Sequence, residues 1–151
     1  LGYKPRSKVK YDIGFNWVVG EKWPNKAWPK KNWKKLEKLL KNKYNICWQK
    51  GLGNLEEYMD WINSCRLIVT NDSLGMHLAI ALRKKMIALF GPSSSKEVYL
   101  YGRGVKLVGK TPYKCVPCLD PVCAQRVNCM EYITPEGVRD EIVKALSGKR
   151  R

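Results

Sequence analysis

Arg66-Leu67-Ile68-Val69-Thr70, then Asn71-Asp72-Ser73, then Leu74-Gly75-Met76-His77-Leu78-Ala79-Ile80-Ala81-Leu82, is the stretch that decides the fold of this 151-residue chain. Beyond Arg66 its first residues are apolar and β-branched, as a strand covered on both faces requires. Asn, Asp and Ser are the types that cap a helix by accepting from its free N–H groups. Met76 to Leu82 is small, apolar and closely packable, which predicts a short helix. Met86-Ile87-Ala88-Leu89-Phe90 is the next strand, closed by Gly91-Pro92-Ser93. Strand, capped helix and strand in direct succession make a parallel βαβ unit.

The same alternation continues in both directions. Upstream, Ile13 to Val19 reads as a first strand. Trp33, Leu36, Leu39 and Leu40 form the apolar stripe of an amphipathic helix whose opposite face is rich in lysine. Tyr44 to Trp48 reads as a strand, and Gly51-Leu52-Gly53-Asn54 as a turn that leads with Asn54 as N-cap into a helix through Leu55, Tyr58, Met59 and Ile62. Downstream, Val105 to Val108 is a fifth strand, and Pro135 to Leu146 a last helix with Thr134 as N-cap and Pro135 at its first position. The fold class is therefore α/β, a Rossmann-like three-layer domain with a mainly parallel sheet. Residues 1–10 read as a linker or disordered lead-in, 11–148 as the domain, 113–130 as a Cys-rich loop within it, and 149–151 as a basic tail.

The length suits one domain with one sizeable core. Hydrophobic residues at 44% and charged residues at 28% exclude disorder as the dominant state. The 29 Lys+Arg against 13 Asp+Glu leave a formal net charge of +16, which points to an anionic partner: phosphate, nucleic acid or an acidic membrane surface. The plainer reading is a solvated basic face. No run approaches the ~18 apolar residues of a membrane span, and no secretory signal is expected. Six cysteines without such a signal point to a reduced, cytoplasmic location. The chain opens on Leu1, as expected of a segment of something longer.

In open parallel sheets ligands sit beyond the carboxyl ends of the strands. The richest loop there is Thr70 to His77, a strand end feeding a helix N-terminus whose free N–H groups suit phosphate. Gly75 would let the backbone approach closely, and Asp72 and Ser73 would cap the helix or bond ligand hydroxyls. The plainer reading is an N-cap with a core histidine.

Residues 71–82 followed by Ile87-Ala88-Leu89-Phe90-Gly91-Pro92-Ser93 resemble the signature of glycosyltransferase family nine, the lipopolysaccharide heptosyltransferases. That pattern is an Asn-Asp-Thr/Ser loop, a His five residues after the Asp, an Ala-rich helix and a strand ending Leu-Phe-Gly-Pro-Thr/Ser. Asn25-Lys26-Ala27-Trp28-Pro29 with Trp33 is similar to the family's Lys-x-Trp-Pro segment. Cys129-Met130 and Ile133-Thr134-Pro135-Glu136-Gly137-Val138 are similar to its closing segment.

The resemblance implies one half of a GT-B glycosyltransferase, the C-terminal half that holds a nucleoside-diphosphate sugar such as ADP-heptose. It implies that Lys26 neutralises the donor diphosphate, that Asn71 and Asp72 belong to the donor loop with Asp72 accepting from donor hydroxyls, and that Ser73, Leu74 and Gly75 hold phosphate oxygens. His77 would orient the loop or touch the donor. No cofactor and no metal are implied. The acceptor, a lipopolysaccharide core, and the residue that activates it would belong to an N-terminal domain missing from this chain, so the domain alone would bind donor and transfer little. A peripheral contact with the inner membrane is compatible, and nucleic acid is not expected. Leu74 stands where the family often has Gly, and the span from Trp48 to Asn54 is short, so the base preference stays open.

Cys115-x2-Cys118-x4-Cys123-x5-Cys129 lies in a Pro-rich loop and reads either as a structural metal or disulfide staple or as free and buried thiols. Cys47 and Cys65 read as packing residues. Trp17, Trp48 and Trp61 fit core faces, whereas Trp23 and Trp28 with Lys22, Lys26, Lys30 and Lys31 read as a basic aromatic rim above the sheet. The Lys34, Lys35, Lys38, Lys41 run reads as a solvated face, with attraction to anionic lipid as the sharper alternative. Two rival functions remain: a stand-alone nucleotide-binding module, and a basic nucleic-acid-binding domain with a Cys-based metal knuckle.

Overall fold

The computed structural model describes residues 2–148; Leu1 and the basic tail 149–151 lie outside the described residues. Five strands, β1 (Tyr11–Asn16), β2 (Ile46–Trp48), β3 (Cys65–Asn71), β4 (Lys85–Phe90) and β5 (Gly104–Val108), form one sheet. Every pairing is parallel and the order is β2-β1-β3-β4-β5. The helices are α1 (Lys30–Leu40), α2 (Leu55–Asn63), α3 (Leu74–Ala81) and α4 (Pro135–Leu146).

Connections that run toward β2 and those that run toward β5 put their helices on opposite faces, as crossovers of one hand require. Helices α1 and α4 cover one face. There Trp33, Leu36, Val138 and Ile142 pack on Ile13, Phe15, Leu67, Val69, Ile87 and Leu89. Helices α2 and α3 cover the other, where Met59, Ile62, Met76 and Ala79 meet Ile68, Met86, Ala88 and Phe90. Alternate residues of β3 and β4 therefore serve different cores, and the strands read as continuous apolar runs for that reason.

The first core is built on aromatic edges. Trp33 packs on Phe15 with ring centroids 5.1 Å apart and on Trp28 at 5.0 Å, both in tilted or edge-on geometry. Each buried indole removes roughly 200 Å² of mostly apolar surface from water, on the order of 5 kcal/mol. Trp28 Nε1 donates to the Ile133 carbonyl at 2.9 Å and Trp33 Nε1 to the Trp28 carbonyl at 3.1 Å, so neither ring buries an unpaired donor.

Trp28 is the main correction to the sequence reading of the aromatics. It is 2% exposed, a core residue and not part of a rim above the sheet. Conversely Trp17, Trp48 and Trp61 are only partly buried and flank the two cores. Cys65 is fully buried, and Cys47 only partly.

Boundaries moved for visible reasons. β1 begins at Tyr11 and ends at Asn16, short of Val19. Beyond it the Trp17 carbonyl accepts from Asn71 Nδ2 at 2.9 Å and Trp17 Nε1 donates to the Gln49 carbonyl at 2.9 Å, so side-chain bonds replace the ladder. β2 has three residues, and α3 starts at Leu74, two residues earlier than its apolar pattern. Residues 2–10 carry no regular structure but are tied to the end of α2: the Arg6 N–H donates to Asp60 Oδ1 at 2.7 Å and Asn63 Nδ2 to the Ser7 carbonyl at 2.8 Å.

Candidate functional site

Strand order reverses between β1 and β3, because the chain leaves β1 toward β2 and leaves β3 toward β4. A crevice at such a switch point is where open α/β sheets take ligands. The two strand ends are Asn16 and Asn71, side chains of one type closing adjacent strands, with Asn16 in register with Thr70, and both are fully buried.

Asn71 holds the loop that leaves β1. Its Nδ2 donates to the Trp17 carbonyl, and its Oδ1 accepts from the Trp28 N–H at 3.1 Å. Asn16 holds the loop that leaves β3. Its Nδ2 donates to Thr70 Oγ1 at 2.7 Å and Ser73 Oγ at 3.0 Å, while its Oδ1 accepts from the Tyr58 hydroxyl at 2.5 Å. Buried amides cost little when each polar atom is paired, and a paired network fixes one geometry. Burial pushes the Tyr58 phenol up to about 12, against the opposing pull of Asn16 and other polar neighbours, so it stays protonated and serves as donor to Asn16.

Gly75 sits directly on this network. A Cβ there would stand 2.2 Å from Tyr58 Oη and 2.3 Å from Asn16 Nδ2, so any side chain would displace this network. Ser73 is the N-cap of α3, but its hydroxyl bonds Asn16 and makes no capping bond. Asn54 and Thr134 do cap α2 and α4, accepting from Glu57 N and Gly137 N. No acidic residue lies in the first turn of α3. Neither a side-chain capping bond nor a first-turn carboxylate therefore offsets the positive end of this helix.

Over that end, Lys26 Nζ lies 2.8 Å from Asp72 Oδ2, with side chains 19% and 13% exposed. Lys26 closes a short 3-10 turn (Pro24–Lys26) and stands 4.8 Å from the centroid of Trp23. The turn is held from outside, since Asn25 Nδ2 donates to the Asp120 carbonyl and Asn128 Nδ2 to the Asn25 carbonyl at 3.2 Å. The Cys-rich loop thus positions the lysine turn. Lys30 Nζ lies 4.9 Å from the Trp17 ring and extends the basic edge.

The structure brings together Lys26, Asn71, Asp72, Ser73 and Gly75 from the sequence-based set. Leu74 is 58% exposed at the start of α3. His77 is exposed one turn into α3 and has no hydrogen-bond or ion-pair partner among the described residues, so it neither packs in the core nor orients the loop in this state. Sequence reasoning missed Asn16 and Tyr58. Asn16 carried a signal, a polar residue closing an apolar strand run. Tyr58 carried none, since its spacing only marks a helix face.

All six cysteines are free thiols. Cys129 is buried, and that burial, with Cys118, Cys123 and Cys115 nearby, pushes its thiol up to about 11. Among the described residues no group of three or more His, Cys, Asp or Glu side chains is placed to hold a metal ion.

A parallel five-stranded sheet with helices on both faces defines a class by fold: Rossmann-like α/β domains. Residues 50–127 match the family model described as glycosyltransferase family 9 (heptosyltransferase). The chain belongs to glycosyltransferase family 9. It is 34% identical over 82 residues to lipooligosaccharide heptosyltransferase 2 of Campylobacter jejuni, covering 53% of this chain and 26% of that one. With lipopolysaccharide heptosyltransferase 2 of Salmonella typhimurium it shares 33% identity over 112 residues, 70% of this chain and 31% of that one. The solved ADP-heptose lipopolysaccharide heptosyltransferase II of E. coli superposes with a TM-score of 0.72 at 23% identity, over 93% of this chain and 48% of that one. The chain thus spans about half the solved enzyme and a quarter to a third of these relatives.

Proposed function

We propose that this domain is the donor-binding half of a heptosyltransferase and holds a nucleoside-diphosphate heptose, with ADP-heptose as the leading donor. The observation that carries the reading is the Lys26–Asp72 pair set over the uncapped start of α3 at the switch point. Lys26 meets the diphosphate as a point charge with two ammonium hydrogens left beyond its bond to Asp72. Asp72 accepts from sugar hydroxyls, and the first N–H groups of α3 take phosphate oxygens. Charge that develops on the departing nucleoside diphosphate is stabilised by groups already in place, so the reading invokes neither metal nor cofactor.

An N-terminal domain supplies the acceptor site and the base that activates the acceptor hydroxyl. The acceptor is a lipopolysaccharide core, and the enzyme works at the cytoplasmic side of the inner membrane as a peripheral protein. No described helix is long and apolar enough to cross a membrane.

The test is a two-dimensional NMR titration with ADP and ADP-sugar, with UDP and GDP as controls. Selective shifts at Lys26 and at Asn71 to His77 with one nucleotide support the reading and name the base. No shift there at millimolar ligand removes the donor-site assignment.

A further inference from the structure

We infer that the outer face of α1 is a docking surface for the anionic headgroups of a bilayer, through Lys34, Lys38 and Lys41. Helix α1 carries two rows of lysine that the fold treats differently. Lys31 pairs with Glu131 at 2.7 Å and Lys35 with Glu136 at 2.6 Å, so the row beside α4 is neutralised within the domain. Lys34, Lys38 and Lys41 follow at i, i+4 and i+7, one stripe of a helix. All three are exposed and none has a partner among the described residues. The only carboxylate of α1, Glu37, is turned inward and accepts from Trp48 Nε1 at 2.8 Å. It stands at i+3 from Lys34 and i−4 from Lys41, so three lysines outnumber one carboxylate along the stripe.

A solvated face needs no such sorting of paired from unpaired charge. The stripe also has a direction. It continues from Lys30 at the Trp17 ring, on the rim of the candidate site, down the length of α1. Three cations in a row on a rigid helix, inside a chain of net charge +16, complement a surface of repeating negative charge. A bilayer occupant follows from the reading that the acceptor is lipid-anchored, on which the inference rests, since the donor site must be held at that surface.

The experiment is co-flotation of the 151-residue chain with vesicles of phosphatidylcholine alone and of phosphatidylcholine with phosphatidylglycerol, at low and raised salt. Binding is expected only with phosphatidylglycerol and is expected to weaken as salt shortens the screening length. K34E/K38E/K41E is expected to lose at least about tenfold in affinity, given roughly fivefold per surface cation. K96E/K110E/K114E makes the same change in net charge on exposed lysines elsewhere and is expected to lose no more than about threefold. Absence of binding to phosphatidylglycerol vesicles at low salt overturns the inference, as do equal losses in the two variants. Stripe-dependent binding to a single-stranded oligonucleotide with none to vesicles also overturns it and makes the partner nucleic acid. ADP titration of K34E/K38E/K41E, whose substitutions lie outside the donor site, reports on the donor reading separately, so each can fail alone.

Discussion

Asp72 Oδ2 accepts from Lys26 Nζ at 2.8 Å although 46 residues separate them, so the pair joins the loop after β1 to the loop after β3 across the switch point. Lys26→Ala or Asp72→Ala breaks that join. Charge-assisted bonds contribute about 1.5–3 kcal/mol, so Lys26→Ala is expected to weaken ADP binding roughly ten- to hundredfold by calorimetry. Unchanged ADP affinity in Lys26→Ala would remove the lysine from the donor site.

Gly75→Ala sets two effects of opposite sign against each other. Within a helix, Ala stabilises by up to ~1 kcal/mol over Gly. Here the new methyl meets Tyr58 Oη and Asn16 Nδ2 at 2.2 and 2.3 Å, and overpacking of that kind costs about 1–3 kcal/mol. Net destabilisation is the expected outcome in urea unfolding. A gain in stability would mean that Tyr58 and Asn16 yield easily, and the loop with them.

How much of this was legible beforehand differs by residue. The βαβ unit from Arg66 to Phe90 was plain, because both faces of β3 and β4 are buried and the apolar runs have no gaps. Lys26 was singled out from the resemblance, and Asn71 and Asp72 from the strand-end rule and the resemblance together; the fold brings the three side by side. Trp28 was misplaced because a tryptophan among lysines and prolines looks like a rim, and only the fold brings Ile133 and Trp33 to it. Tyr58 was invisible as a site residue: its contact with Asn16 spans 42 positions, and periodicity reports only a helix face.

Arg83 offers a test of the backbone. It has φ +56 and ends α3 in a Schellman turn, with Lys84 N–H to the Ala79 carbonyl at 2.9 Å and Arg83 N–H to the Ile80 carbonyl at 3.0 Å. Left-handed backbone costs a non-glycine residue roughly 1 kcal/mol. Arg83→Gly is expected to raise stability by about 0.5–1 kcal/mol in thermal unfolding, and a loss would show that its side chain contributes more than the strain.

Alkaline pH should destabilise the fold. Burial pushes Cys65 up to about 12 from 9.0 and Tyr58 up to about 12 from 10.0. Both groups are neutral when protonated, so the unfolded chain loses these protons first, and stability falls as pH rises from 9.0 toward about 12. Lys84 works the other way: burial lowers it, so its share rises with pH below 10.5. Cys129, pushed up to about 11 by burial, acts in the same sense as Cys65 and Tyr58, and these three acids against one base predict a net decline above pH 9, read by urea midpoints across that range. A flat profile would refute the buried state of Cys65.

Thiol reactivity should follow exposure. Cys115 and Cys118 are exposed, and Cys65 and Cys129 are buried. Mass spectrometry after brief treatment of the native chain with iodoacetamide is expected to find label on Cys115 and Cys118 and none on Cys65. Early labelling of Cys65 would contradict the packing of the second core.

Asn71 is bonded at once to the Trp17 carbonyl and the Trp28 N–H, which means that one amide fastens both feet of an intervening loop. Between two fixed feet, residues 18–23 can lengthen, shorten or change composition without shifting β1 or the helix that follows Trp28. The arch is thus a segment whose edits leave the sheet beneath it the same.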